Sequence, residues 1–285
     1  MMKRISDVMI KDLVVVDFLD GIQKIKSLHC NTQSGNMYFP VKDNGEIVGI
    51  TSVYQLINVH PNRIVADAMT THYITISPND SLWKAHEVFV KTQEGYLVVK
   101  DKDVFLGVLP KNHLYIELGK YTDPLTGLYR SDYIYYKASN LILEGNELTV
   151  VFLDVNDFGK IDKEYGHVQG DIILKELSEL IRDLLPSDTH LCRFGGDEFV
   201  FISTKIKSET VEITNDLLNK VSLHSFSDAI PVTLSAGIAG GNRINKRNHD
   251  VISTISSLIN LASLASTKAK KGSSSIYALE SDYIA

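Results

Sequence analysis

Cysteine is scarce. Cys30 and Cys192 are the only two in 285 residues, far apart and in no metal-binding or redox spacing. A disulfide framework is therefore not expected, and both read most simply as small buried apolar residues. Long hydrophobic runs are missing too: no apolar stretch reaches membrane-spanning length, and the first residues lack the apolar core of a secretory signal. A cytoplasmic protein without a membrane partner is expected. Nor is there an excess of basic charge. A net charge of −6 gives no general attraction for a polyanion, so nucleic acid is not an expected partner. What is present is 44% hydrophobic content over a length beyond a typical single domain, enough for a core in each of two folding units.

The first part of the chain repeats itself. Ile5-Ser6-Asp7-Val8-Met9 recurs as Val65-Ala66-Asp67-Ala68-Met69. Each is followed by an extended stretch (Val14-Val15-Val16, or Tyr73-Ile74-Thr75-Ile76) and then by a helical pattern led by Asp20 or by Asp80-Ser81. A strand pair comes next in both copies. Tyr38-Phe39-Pro40-Val41 turns at Asp43-Asn44-Gly45 into Ile47-Val48-Gly49-Ile50, and Tyr96-Leu97-Val98-Val99 turns at Asp101-Lys102-Asp103 into Val104 to Val108. The segment from Lys111 to Tyr121 has helical composition and no proline- or serine-rich run, which predicts a stiff connector. His29, His60, His72 and His86 show no ligand-like spacing.

The second part carries the chemistry. Arg193-Phe194-Gly195-Gly196-Asp197-Glu198-Phe199 places two adjacent carboxylates after a Gly-Gly pair, between the apolar runs Leu191-Cys192 and Phe199-Val200-Phe201-Ile202. A Gly-Gly step between strand-like segments predicts a hairpin turn, so both acids are expected at an exposed turn. Glycines there let a bulky anion approach the backbone, and acids beside a phosphate site point to a divalent cation.

Further motifs stand in order around this one: Asp123-Pro124-Leu125-Thr126-Gly127-Leu128, Val150 to Phe158, Gly166-His167-Val168-Gln169-Gly170-Asp171, Val232 to Ala239, and Ala269-Lys270. Together they resemble the GGDEF family, the diguanylate cyclases, from about Asp123 to about Ala278. The N-terminal repeat resembles a CBS-domain pair. These resemblances imply an α+β protein with a tandem CBS sensory or dimerisation module at 1–115, a connecting helix at 116–122 and a GGDEF domain at 123–285. The last would have the nucleotidyl cyclase and polymerase palm architecture, a central antiparallel sheet wrapped by helices. The implied activity is metal-dependent condensation of two GTP to cyclic di-GMP and pyrophosphate by a homodimer, with Mg²⁺ or Mn²⁺, two per active site.

The resemblance assigns metal ligation to Asp154, the Val155 carbonyl and Glu198, activation of the attacking 3′-hydroxyl to Asp197, and substrate contacts to Asp162, Asp171, Gly195, Gly196 and Lys270. Several positions depart from the family pattern. Asp162 replaces an Asn that partners the guanine-reading Asp171, Gly159 replaces a Lys with Lys160 one residue late, and Ser273 replaces an Arg. Asn156 stands for the second acid of Asp-x-Asp, and Arg130-Ser131 for Asn-Arg. The window Pro186-Ser187-Asp188-Thr189 lacks the arginine of the family's product-inhibition motif. In the CBS repeat an adenine nucleotide or other small ligand would meet Ser52 with Gln55, and Pro110 with His113, where nucleotide-binding members carry Thr or Ser with Asp. Two other readings stay open: a catalytically silent GTP-binding switch, and a CBS-driven dimeric scaffold signalling through a protein partner.

Overall fold

The computed structural model describes residues 3–31, 37–241, 250–272 and 274–279, without the side chains of 28–31. The chain divides into two units, Met1–Gly119 and Lys120–Ala285.

One element order runs twice through the N-terminal unit. A 3-10 turn (Ile5–Asp7), β1 (Val16–Asp17), α1 (Ile22–Asn31), β2 (Tyr38–Asp43), β3 (Glu46–Ser52) and α2 (Val53–Ile57) form the first copy. The second has a 3-10 turn (Val65–Asp67), β4 (Thr75–Ile76), α3 (Leu82–Thr92), β5 (Tyr96–Asp101), β6 (Val104–Pro110) and α4 (Lys111–Leu118). Both three-stranded sheets pair parallel and then antiparallel, β1-β2-β3 and β4-β5-β6. Asn44 and Gly45 both have positive φ, 48° and 89°, as a two-residue hairpin turn requires. Equivalent acids do equivalent work: Asp20 accepts from the Asp17 N–H and the Lys24 ammonium, and Asp80 from the Ser77 N–H and the Lys84 ammonium.

The copies also exchange segments. Ile10, before β1, bridges to Val108 on β6, and Thr70, at the matching place in the second copy, bridges to Ile50 on β3. Each copy thus covers an edge strand of the other, which blocks edge-to-edge association. Gly49 and Gly107 make room for the incoming chain. A Cβ on Gly107 would stand 2.2 Å from the Ile10 carbonyl oxygen, and one on Gly49 3.0 Å from that of Thr70. The 116–122 segment read as a connecting helix is the end of α4 followed by a 3-10 turn, Gly119–Tyr121.

The C-terminal unit contains α5 (Ser131–Leu143), β7 (Thr149–Val155), α6 (Phe158–Tyr165), α7 (His167–Leu184), β8 (His190–Gly195), β9 (Glu198–Ser203), α8 (Lys207–Leu223), β10 (Leu234–Gly240), α9 (Val251–Lys271) and β11 (Ile276–Ala278). The sheet order is β11-β10-β7-β9-β8. It is antiparallel except at one edge, where β11 runs parallel to β10, so the sheet expected to be antiparallel is mixed. Strand alternation feeds two cores. Val151, Leu153, Val155, Phe199 and Phe201 meet Ile173, Leu177 and Ile181 of α7 and Val221 of α8. Val150, Phe152, Val200 and Ile202 meet Ile134 and Ala138 of α5 and Ile255, Ile259 and Ala262 of α9. Cys192 lies fully inside this second core, where burial pushes its thiol pKa up. The side chain of Cys30 lies outside the described residues.

Gly237 fixes the site's geometry. A Cβ there would be 1.9 Å from the Ala262 carbonyl oxygen, so only glycine lets α9 lie directly on β10. The last turn of α9, with Lys270, is thereby carried toward Asp154, the cross-strand partner of Ser235.

Candidate active site

Strands β8 and β9 close through Gly196-Asp197, with Gly195 opposite Glu198. Gly195 therefore ends a strand, and the turn proper is Gly196-Asp197, Gly196 taking the positive φ of 44° that other residues resist. The expectation that both acids are exposed is corrected: Asp197 and Glu198 are half-buried. The reason is β7, which pairs with β9 to its end and sets Asp154 opposite Glu198.

Three carboxylates are thus gathered at the ends of two inner strands. Burial raises the pKa of Asp197 above the usual carboxylate range, with Asp154 and Asp162 repelling its charge and Lys270 opposing them. Burial likewise raises Glu198, helped by Asp154 and Asp197. The Lys270 ammonium bonds Asp154 Oδ1. Asp154, Glu198 and the Val155 carbonyl supply only oxygen donors, the set a hard divalent cation takes. Among the described residues no group of three or more His, Cys, Asp or Glu side chains converges as a metal cluster.

A cleft of about 560 Å³ opens beside them, lined by Asp197, Lys270, Asn156, Phe158, Gly159 and Gly272 among others. Asn156 is tied to β10: its Nδ2 donates to Thr233 Oγ1 (2.9 Å) and its Oδ1 accepts from Ser235 Oγ (2.7 Å). Lys160 does not line the cleft; its ammonium pairs with Asp157 at 2.9 Å. Ser273 lies outside the described residues.

Asp123 and Arg193 belong to two of the motifs, and the sequence assigns neither a role. Arg193 donates from Nη1 to Asp123 Oδ1 (2.8 Å) and from Nε to the Gly196 carbonyl (2.9 Å). Asp123 Oδ1 also accepts from the Thr126 N–H and hydroxyl. Burial alone would raise the Asp123 pKa, but these bonds outweigh it and hold the carboxyl below its ordinary range. The first residues of the C-terminal unit are thus fastened to the signature turn. Opposite charges in two motifs were the available signal.

Asp162 sits on α6 and Asp171, exposed, on α7. Asp162 Oδ2 is 3.0 Å from His167 Nδ1, and a Cβ on Gly170 would fall 2.1 Å from Asp162 Oδ1. Neither acid lines the cleft at Lys270. The arginine-free window forms a turn in which the Thr189 N–H and hydroxyl both donate to the Pro186 carbonyl.

In the N-terminal unit a cleft of about 1350 Å³ is lined by Ser52, Gln55, His113, Lys111, Tyr38 and Tyr96 among others. Tyr38 and Tyr96 occupy equivalent places in the two copies, with ring centroids 5.0 Å apart, and burial lifts the Tyr96 pKa to about 12. Gln55, a candidate ligand contact, is also engaged locally. Its Oε1 accepts from the Ser52 N–H (2.8 Å) and hydroxyl, while its own N–H donates to Ser52 Oγ, a capping box at the start of α2.

A mixed sheet flanked by helices, with acids from two adjacent inner strands and a lysine brought in from a third element, makes this an α+β domain with a polar site at the strand ends. The family profile described as "Diguanylate cyclase, GGDEF domain" matches residues 120–274, and a CBS-domain profile matches 65–119. The chain belongs to the GGDEF family and joins a CBS domain to its GGDEF domain. It is 30% identical over 128 residues to diguanylate cyclase DgcP of Pseudomonas aeruginosa, covering 41% of this chain and 19% of that protein. It is 37% identical over 84 residues to diguanylate cyclase DgcS of Shewanella oneidensis, covering 28% of each. A third relative, 32% identical over 123 residues, 41% of this chain and 19% of the other, is cyclic di-GMP phosphodiesterase PdeR of Escherichia coli. The matched part is thus well under a third of these relatives' lengths. Among solved structures, the coiled coil and GGDEF domain of DgcB from Caulobacter crescentus in complex with c-di-GMP superposes with a TM-score of 0.50 at 20% identity, over 59% of this chain and 91% of that one, a likeness of fold.

Proposed function

We propose that the C-terminal unit condenses two GTP to cyclic di-GMP and pyrophosphate within a homodimer, in the cytoplasm, under control of the N-terminal unit. The observation that carries this reading is the meeting of Asp154, Glu198 and Asp197 at the ends of two inner strands, with Lys270 beside them and a polar cleft alongside. A divalent cation held by Asp154, the Val155 carbonyl and Glu198 would neutralise charge on the phosphate oxygens when bound. Asp197, its pKa raised, is suited to take the proton of a 3′-hydroxyl as that oxygen bonds the α-phosphorus and the bond to the departing pyrophosphate breaks. Lys270 can turn from Asp154 to the triphosphate, and Gly195 and Gly196 leave the turn open to it. Asp162 and Asp171 would read the base.

Each C-terminal unit would bind one GTP, so the reaction needs the facing sites of two protomers, an isologous arrangement. The N-terminal unit is read as a tandem CBS module, on the twice-repeated element order and the exchanged segments, with its cleft open to an adenine nucleotide or another small ligand. Incubating the pure protein with GTP and Mg²⁺ and identifying the products by mass tests the reading; GTP recovered intact would sink it. A truncation beginning at Lys120 is expected to keep GTP binding and lose most turnover at low protein concentration, recovering as concentration rises. Full, concentration-independent turnover by a monomer would remove the dimer from this account. A second reading, a GTP-binding switch without turnover, is favoured by Gly159 and by the pairing of Lys160 with Asp157, which leave the cleft short of cations. Binding of GTP without product would select it.

A further inference from the structure

The cleft beside Lys270 is poor in positive charge. Among the described residues two carboxylates, Asp157 and Asp197, and one ammonium, Lys270, line it, and the ammonium already bonds Asp154. A phosphate-bearing ligand entering with its cation therefore needs neutral donors as well. The hydroxyls on the wall are the candidates. Ser274 donates to the Ile276 carbonyl (2.9 Å) and Ser235 to Asn156 Oδ1 (2.7 Å), so both hydrogens are spent within the protein. Ser275 makes no side-chain bond among the described residues, and nothing aims its hydroxyl.

Thr233 differs from all three. It stands at the entry to β10, where its carbonyl accepts from the Asn156 N–H (2.9 Å) and its Oγ1 accepts from Asn156 Nδ2 (2.9 Å). A hydroxyl that accepts still has its own hydrogen to give. The cause lies in Asn156. A carboxylate at that place would accept from both neighbours and take up both hydrogens, whereas an amide has one accepting and one donating end and leaves one hydroxyl over. Turning the amide over would merely exchange which one. Ser235 is the one held, because it is 2% exposed and a buried hydroxyl requires a partner; Thr233 is exposed and lines the cleft.

We propose that Thr233 is a phosphate-binding residue: its hydroxyl, kept available by Asn156, donates to a phosphate oxygen of the nucleotide in this cleft. The inference rests on the reading of GTP as substrate with its phosphates beside Lys270. Thr233 touches the ligand, and Asn156 is the positioning residue that holds Oγ1 and leaves its hydrogen to the ligand.

The test is calorimetric binding of a non-reacting GTP analogue with Mg²⁺ to the full chain. Thr233→Val is expected to weaken binding about 10-fold, the loss of one hydrogen bond to a charged group, while Thr233→Ser, which keeps the hydroxyl, should stay within about twofold of wild type. Inorganic triphosphate with Mg²⁺ should show the same Thr233→Val loss, since it carries neither sugar nor base. Asn156→Asp adds charge and also takes up the Thr233 hydrogen, so in that background Thr233→Val should cost less than about twofold more. Wild-type affinity in Thr233→Val would overturn the proposal, as would a loss confined to the nucleotide, which would place the contact on sugar or base. Equal losses in the Val and Ser variants, or an undiminished loss in the Asn156→Asp background, would overturn it by marking Thr233 as structural. Lys270→Ala separates the two levels of the argument. If it weakens binding while Thr233→Val does not, only the role of Thr233 falls; if neither does, the phosphates are not held in this cleft and the reading of it as the GTP site falls too.

Discussion

Polar side chains are held in opposite ways in the two units. In the N-terminal unit two candidate ligand residues, Ser52 and Gln55, also cap α2 and each other, just as Asp20 and Asp80 close matching turns. In the C-terminal unit Asp197 and Glu198 are half-buried against like charge, which raises both pKa values, with Lys270 as the cation that partly relieves them. A side chain satisfied by its own helix has a structural job. One held partly desolvated beside its own kind of charge destabilises the fold, and such tension marks a site kept for a ligand.

Removing the tension should therefore abolish function without harming the fold. Glu198→Gln and Asp154→Asn are each expected to cut Mg²⁺-dependent turnover of GTP by at least about 100-fold, since even outer-shell partners of a metal ligand are worth 10- to 100-fold. Glu198→Gln should leave the thermal midpoint unchanged or higher. If both variants turn over at the wild-type rate, the metal assignment is wrong. The same contrast has a pH signature. The folded pKa values of Asp197 and Glu198 lie above their unfolded ones, so the native state gains protons first as pH falls from neutral toward the ordinary carboxylate range. Metal-free protein should gain stability from them across that window, and Glu198→Gln should reduce the gain. Asp123 behaves in reverse: its lowered pKa stabilises the fold at neutral pH, and that contribution disappears only as pH drops below the ordinary range. Thermal melts across this range that showed no difference between wild type and Glu198→Gln would remove the electrostatic half of the comparison.

The Arg193–Asp123 pair of the C-terminal unit is held by several hydrogen bonds, and its removal should look structural. The Arg193 and Asp123 side chains are 13% and 15% exposed, so Arg193→Ala leaves a mostly buried carboxylate without its partner and the Gly196 carbonyl without its donor. A loss of about 2–4 kcal/mol is expected from denaturant midpoints. Because Arg193 bonds the turn that carries Asp197, turnover should also fall by more than the unfolded fraction explains. Stability within about 0.5 kcal/mol of wild type would show the pair to be solvated.

Much of this was legible from the chain alone, for identifiable reasons. The hairpin at Gly196-Asp197 and the strand ending at Asp154 announce themselves through glycine and through period-two apolar runs, both local signals. The internal repeat was visible because its segments recur about 60 residues apart. Burial of the acids was not, since it depends on Asp154 and Glu198 becoming neighbours across β7 and β9, and register is a long-range property. The parallel edge strand β11 is three residues long and carries no pattern of its own. The exchange of Ile10 and Thr70 between the copies could not be read from a repeat that looks the same whether its sheets are closed in cis or crosswise. The cap at Gln55 was not legible, because a glutamine three residues after a serine is both a plausible ligand contact and half of a capping box, and only geometry shows the box.

That choice sets the smallest expected effect. If Gln55 is consumed by its cap, Gln55→Ala removes the acceptor of the Ser52 N–H and should cost about 1 kcal/mol, read as a shift in the first unfolding transition. Affinity for an adenine nucleotide titrated into the full chain should stay unchanged, because the side-chain carbonyl was never offered to the cleft. A ribose contact would give the opposite pattern: weaker nucleotide binding at constant stability. Ser52→Ala sharpens the distinction, since it removes the other half of the same box and should match Gln55→Ala in size. The two together should cost little more than either alone, as expected for two side chains bonded to each other in one box. Additive losses, or a nucleotide effect in either variant, would move Ser52 and Gln55 from the structural class to the functional one and end the contrast between the two units.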